Sequence, residues 1–412
     1  MTEQEKQELL FRCGRVFRPA SPLDTRDLFA GRTEQITQAG KAVHTVGQHA
    51  LIFGQRGVGK SSLANILKLL LENEGKLVVK VNCHKDDTFP RIWRHSFEEI
   101  DLIEQKLAGF NVSKPSVSSP ADGFPAEADA NDVKRVLRFL GKHSDTIFVF
   151  DEFDRLQGTK TQRMFADVIK DLSDSAVNST LILVGVANDV NGLIQEHASI
   201  DRSVVQIHMP RMKPSELEEI VRKGMQELGA KIDDDALELI VLLSQGLPHY
   251  THLIAQEAST SAIKQGVKHL SLVHVKEGVK VALKSVQASI LDAYQNAIQG
   301  QRKGTLFQHV LLACALAEVD EQGYFVSSAV REPMTAITGK PYDIPAFSQH
   351  LKKFSSDPSR GPVLEKAGTS RRFRFRFTNP LLQPYVVMRA LGDGTLEGDL
   401  LELLRAKKQP EY

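Results

Sequence analysis

The chain has 412 residues, of which 42% are hydrophobic and 25% charged, and its 52 Lys and Arg nearly balance 51 Asp and Glu for a net charge of +1. These values fit two or three globular domains of about 150 residues each and exclude a collagen, a coiled-coil rod, a disordered chain or a polycation. The three cysteines, Cys13, Cys83 and Cys314, fit neither a disulfide framework nor a zinc spacing.

Met1 to Arg18 is charged and lacks the apolar run of a signal peptide. No apolar stretch approaches the ~20 residues of a spanning helix, so a cytoplasmic protein without a membrane partner is expected. Ala50–Phe53 reads as a buried strand, followed by a Gly-rich turn and an amphipathic helix from Lys60 to Glu74. Leu77–Asn82 is a second strand, Thr88–Lys106 a helix, and Gly109–Asn131 a long Ser/Pro/Ala/Gly-rich insertion expected to be flexible. Asp132–Lys142 has helical spacing, Thr146–Phe150 is a third strand, and Arg163–Asp174 is helical. Thr180–Ala187 and Val204–His208 supply a fourth and a fifth strand. Strands alternating with helices predict an α/β domain with a parallel sheet over 24–212, after a 1–23 N-terminal segment.

Beyond Pro214 the pattern turns helical: Ser215–Leu228, Asp233–Ser244, Tyr250–Gln265 and Val273–Ile298, with Ser215 and Asp233 as candidate caps. This gives a helical lid over 213–300. A further domain spans 301–392, before a 393–412 tail. In it Gln308–Ala317 and Pro345–Phe354 read as helices, and Gly361–Leu364 and Arg371–Phe377 as a hairpin.

Gly54-Gln55-Arg56-Gly57-Val58-Gly59-Lys60-Ser61 matches G-x-x-x-x-G-K-[ST] in full. Such a loop wraps phosphate oxygens in backbone N–H groups at a helix N-terminus. Lys60 would reach the β and γ phosphates and Ser61 would hold Mg²⁺, with Ser62 as a further nucleotide contact. Strand Ile147–Phe150 ends in Asp151 and Glu152. Asp151 is the expected second metal-site residue, holding Mg²⁺ through water, and Glu152 the group that polarises the attacking water. Asn188, ending the fourth strand, is read either as a hydrogen-bond partner of that water or as a turn residue. Arg202 is read either as an arginine finger offered to a neighbouring subunit or as a surface residue paired with Asp201. The cofactors are therefore expected to be ATP and Mg²⁺.

The order of these motifs resembles the AAA+ ATPase superfamily. It comprises Phe29-Ala30-Gly31-Arg32, the phosphate loop, Phe150-Asp151-Glu152, Gly185-Val186-Ala187-Asn188-Asp189, the Arg202 segment and a helical lid. It is most similar to the branch of origin-recognition initiators and STAND-type switch ATPases, over about residues 17–390. The resemblance implies a P-loop NTPase parallel sheet with a helical lid and a C-terminal winged-helix domain, and Phe17–Arg32 near the adenine. It also implies that the nucleotide state controls conformation and assembly into a homo-oligomer. Initiators carry a lid arginine on the γ-phosphate. Here Gly246-Leu247-Pro248 looks like the STAND side, and His249 takes the polar position, able to contact phosphate but weaker than Arg. Slow, switch-like hydrolysis follows.

In Arg372-Phe373-Arg374-Phe375-Arg376-Phe377, alternation puts the phenylalanines on one face and the arginines on the other. From His350 to Pro380, eight Lys and Arg, including Lys352 and Lys353, face two acids. Such a cationic comb suits the backbone of double-stranded DNA, or else it protects an exposed edge or docks an acidic neighbour. The expected function is a DNA-acting ATPase switch. The alternative is a STAND-type signalling or defence ATPase regulating a separate effector protein without DNA.

Overall fold

The computed structural model describes residues 1–26, 28–108, 120–156, 159–186, 202–299, 306–320, 322–369 and 372–396. The chain divides into two compact units. One comprises 22–55 and 60–209, and the other 1–21, 56–59 and 210–412.

The chain opens on α1 (Glu3–Val16), where Thr2 and Glu5 close a reciprocal capping box. The α/β unit then runs through α2 (Thr33–His44), β1 (His49–Gly54), α3 (Lys60–Asn73), β2 (Leu77–Asn82), α4 (Phe89–Ala108) and α5 (Ala130–Leu140). It continues with β3 (Thr146–Asp151), α6 (Thr159–Asp174), β4 (Ser179–Val186) and β5 (Val204–Met209). The five strands form one parallel sheet in the order β2-β3-β4-β1-β5. Every residue of β1 and β3 is buried, as the continuous apolar runs require when helices cover both faces. Trp93 of α4 anchors the core of this unit. Its indole packs on Phe97, Phe148, Phe150 and Phe165 with ring centroids 5.1–5.8 Å apart.

The expectation of a flexible insertion over 109–131 needs correction in its second half; residues 109–119 lie outside the described residues. Ala121, Phe124 and Ala128 are buried in the same core, and the Phe124 ring meets Phe97 edge-on at 5.0 Å. Asp129 then caps α5, accepting the N–H groups of Asn131 and Asp132. Its Ser/Pro-rich composition concealed three core residues.

The second unit gathers α1 with α7 (Pro214–Leu228), β6 (Lys231–Ile232), α8 (Asp234–Ser244), α9 (Pro248–Lys264), β7 (His269–Leu270), α10 (Leu272–Ala282) and α11 (Ala288–Ile298). Phe17 is fully buried beside Gly224 of α7 and the ring of His252. The cap of α7 is Lys213 rather than Ser215. Pro214 takes the first helical position, and Glu216 reaches back to the Lys213 N–H at 2.8 Å. Asp233 does stand at the cap of α8, but its carboxylate binds His269 Nε2 at 2.6 Å. The expected helix Val273–Ile298 is two, because the chain turns at Lys284–Gln287.

In the same unit follow α12 (Leu306–Leu316), β8 (Phe325–Val326), α13 (Arg331–Thr338), α14 (Ile344–Ser356), β9 (Leu364–Ala367), β10 (Arg374–Phe377) and α15 (Leu382–Gly392). This region runs helix, strand, two helices and an antiparallel hairpin. The Tyr250 hydroxyl donates to the Leu381 carbonyl at 2.7 Å, so α9 and the start of α15 are tied directly.

The third strand, β8, places β10 in the middle of its sheet, in the order β8-β10-β9. That position corrects the reading of the cationic comb. Arg376 is buried, paired with Glu365 of β9 at 2.5 Å, and its guanidinium lies 4.5 Å from the Tyr324 ring. Arg374 lies 4.2 Å from the centre of the same ring and reaches Asp320 at 3.4 Å. Phe375 and Phe377 are buried, whereas Phe373 is only half-buried, beneath the Lys366 ammonium at 3.4 Å. Arg372, Lys352 and Lys353 are exposed. No helix among the described residues is long and apolar enough to cross a membrane.

Candidate nucleotide site

Parallel β1 and β3 both deliver their carboxyl ends to the same edge of the sheet, on either side of β4. At that edge β1 runs into the phosphate loop and β3 into the acidic pair. Gly57 and Gly59 adopt φ of 86° and 95°, a left-handed backbone that L side chains rarely take. A Cβ on Gly54 would meet the Met209 carbonyl, so glycine is required there by close approach.

Lys60 begins α3 and is nearly buried, and its ammonium donates to the carbonyls of Gly54 at 3.0 Å and Gln55 at 2.8 Å. These bonds fold Lys60 back over its own loop. Ser61 Oγ donates to Asp151 Oδ1 at 3.2 Å. A hydroxyl and a carboxylate this close supply the hard oxygen donors that Mg²⁺ takes, so the residues fit that ion. Asp151 Oδ1 also accepts the Glu152 N–H at 2.9 Å.

Glu152 has φ 56°, a left-handed position that turns its side chain out of the strand pleat. Its carboxylate is partly exposed and pairs with Arg155 at 3.1 Å. The next turn is fastened by Asp154, which accepts the Val186 N–H at 2.7 Å at the end of β4.

Asn188 lies outside the described residues. Arg202 is exposed and precedes β5, whose Val204 pairs with His49 at the start of β1. It therefore stands at the amino edge of the sheet, about 20 Å of strand from the phosphate loop.

In the other unit, His249 Nδ1 lies 2.8 Å from the Pro19 carbonyl. A carbonyl only accepts, so Nδ1 carries the proton. Burial, aided by the nearby Arg56 charge, lowers the pKa of this ring, and the Pro19 bond opposes it. This bond holds the ring through Nδ1 and leaves Nε2 as its second nitrogen.

The sequence reading passed over Lys80. This residue interrupts the apolar strand β2, and its ammonium lies 3.0 Å from Asp151 Oδ2 and 2.7 Å from Asn65 Oδ1. A lysine in the middle of a buried strand was the available signal.

The fold matches the Walker-type ATPase PABY2304 of Pyrococcus abyssi at 17% identity, with a TM-score of 0.55, over 90% of this chain and 99% of that one. The ORC2 protein of Aeropyrum pernix aligns at 16% identity and a TM-score of 0.48, over 95% and 98% of the two chains. Cdc6p of Pyrobaculum aerophilum aligns at 16% and 0.46, over 93% and 99%. At 17% identity the likeness to PABY2304 is one of fold. No curated protein sequence matches. The family model of Novel STAND NTPase 1 matches residues 21–296, which hold the phosphate loop, Asp151, Glu152 and His249, and the chain belongs to that family.

Proposed function

We propose that this NTPase binds ATP with Mg²⁺, hydrolyses it slowly, and uses the nucleotide state to control conformation and assembly on DNA. The convergence of Lys60, Ser61 and Asp151 at one edge of the sheet carries the nucleotide reading. The backbone N–H groups of Gly54–Ser62 bind the phosphates at the start of α3. Lys60 exchanges its two loop carbonyls for β- and γ-phosphate oxygens. Ser61 and Asp151 hold Mg²⁺, which neutralises charge on the phosphates when bound. Glu152 leaves Arg155 to accept a proton from the attacking water. Slow turnover accords with Glu152 being held by Arg155 and with His249 standing where a lid arginine is usual. Arg202 acts on the nucleotide of a neighbouring copy.

The DNA reading rests on exposed Lys352, Lys353, Arg372 and Arg374 in a region with winged-helix element order. The pairing of Arg376 with Glu365 and of Arg374 with Asp320 favours a second reading, a switch acting on a separate effector protein. The two are separated by DNA binding of Glu152→Gln in ATP and Mg²⁺, titrated across salt. Tight ATP-dependent binding with a steep salt slope, lost with Lys352, Lys353 and Arg372 neutralised, supports the first. No binding at low salt leaves the second.

A further inference from the structure

Both oxygens of Asp151 are engaged within the chain. Its Oδ1 accepts from Ser61 Oγ at 3.2 Å and from the Glu152 N–H at 2.9 Å, and its Oδ2 faces the Lys80 ammonium at 3.0 Å. The Asp151 side chain is 5% exposed and that of Lys80 14%. A carboxylate this deeply placed needs a counter-charge, and without one it is strongly destabilising. Lys80 reaches it from β2, the strand paired with β3, where Asn82 is in register with Asp151 and Lys80 with Val149.

We propose that Lys80 is the resident counterion of Asp151, and that a divalent metal ion takes this carboxylate only by displacing it. The inference rests on the reading of Ser61 and Asp151 as metal ligands. Two cations on one carboxylate repel each other, so Lys80 lowers the affinity of the empty site for metal while keeping Asp151 ionised and aligned. The displaced ammonium has a second partner already in place, Asn65 Oδ1 at 2.7 Å. Asn65 Nδ2 in turn donates to the Leu23 carbonyl at 3.1 Å, and the Leu23 N–H donates to Ser62 Oγ at 3.1 Å. Metal arrival is thereby relayed from Asp151 through Lys80 and Asn65 to the segment that precedes α2.

Lys80 is a positioning residue, and its test uses readouts other than turnover. Thermal denaturation in EDTA without nucleotide compares the wild type, Lys80→Met, Asp151→Asn and the double variant. Lys80→Met is expected to melt well below the wild type, and Asp151→Asn in that background to restore most of the loss. The Mg²⁺ needed for half-maximal binding of a fluorescent ADP analogue is then titrated. It is expected to fall about tenfold in Lys80→Met and to stay near the wild-type value in Lys80→Arg. Lys80→Gln, which removes the charge but keeps a polar end, carries the titration if Lys80→Met does not fold. Nucleotide binding with an unchanged or raised Mg²⁺ requirement in the neutral variants overturns the inference alone. A wild-type chain that takes up neither nucleotide nor Mg²⁺ overturns the nucleotide-site reading and the inference with it.

Discussion

Single side chains at the sheet edge divide their tasks by what they already bind. Lys60 donates to two carbonyls of the loop that would hold phosphate, so Lys60→Ala is expected to abolish ATP binding while the chain stays folded. Calorimetric titration with ATP and Mg²⁺ measures this. The Glu152 carboxylate pairs with Arg155 and lies partly exposed, so Glu152→Gln is expected to keep ATP binding and lose hydrolysis by about 100-fold or more. Phosphate release under saturating ATP is the measurement. Two buried histidines give the fold a pH dependence. Burial lowers His49 to about 4 and His252 to about 4, below the ordinary value near 6.5. The unfolded chain therefore takes up protons that the folded chain refuses between pH 6.5 and 4. The stability contributed by the neutral rings is complete above pH 6.5 and falls through that window, by about 1.4 kcal/mol per pH unit for each histidine. His252 Nδ1 has no hydrogen-bond partner, so His252→Leu should remove that histidine's share of the slope at little cost near neutrality. Urea denaturation across pH 4.5–7 follows it.

At the scale of elements, two helices and one strand take their character from what lies against them. Helix α7 brings Gly224 onto the fully buried Phe17 ring, and a Cβ at 224 would collide with that ring. Gly224→Ala is therefore expected to destabilise its unit by about 1–3 kcal/mol despite the higher helix propensity of alanine. Phe17→Leu in the same chain should return part of the loss, as measured by denaturant unfolding. Helix α5 owes its start to Asp129, although the segment before it reads as loop in composition. Strand β10 is the central strand of its sheet, and on its polar face Arg376 is buried against Tyr324 and Glu365 while Arg374 remains exposed. Arg376→Ala is thus expected to lower the melting temperature and leave any DNA affinity nearly intact. Arg372→Ala is expected to do the reverse, reducing the salt slope by about one unit if DNA is bound. Circular dichroism melts and salt-titrated fluorescence anisotropy distinguish the two.

Across the whole molecule, the two units carry separate cores and separate reporters. The sole tryptophan, Trp93, is buried in the α/β unit, so its fluorescence follows the unfolding of that unit alone. ATP with Mg²⁺ at about 100 times its dissociation constant should stabilise that transition by about 2.7 kcal/mol, and the shift should vanish in Lys60→Ala. Residues 1–21 belong with the helices after Pro210, because Phe17, Leu9 and Cys13 are buried there rather than beside the sheet.

The five strands, the phosphate loop and the acidic pair were legible in the chain, because burial on both faces writes a continuous apolar run and a phosphate cradle needs its glycines. Strand β2 was read at its observed bounds, Leu77–Asn82. The separation of α10 from α11 was obscured by Lys284–Gln287, which carries neither glycine nor proline. Tertiary structure alone decided the partners. Alternation in Arg372–Phe377 fixes two faces but cannot tell a central strand from an edge, and only β8 and β9 made Arg376 a buried ion-pair member. His249 became a proton donor to Pro19 through a contact 230 positions away in sequence. Lys80 met Asp151 because β2 and β3 are neighbours in the sheet. Local composition and periodicity record how each residue meets solvent or core; which residue stands opposite it is set by chain crossings that no local pattern contains.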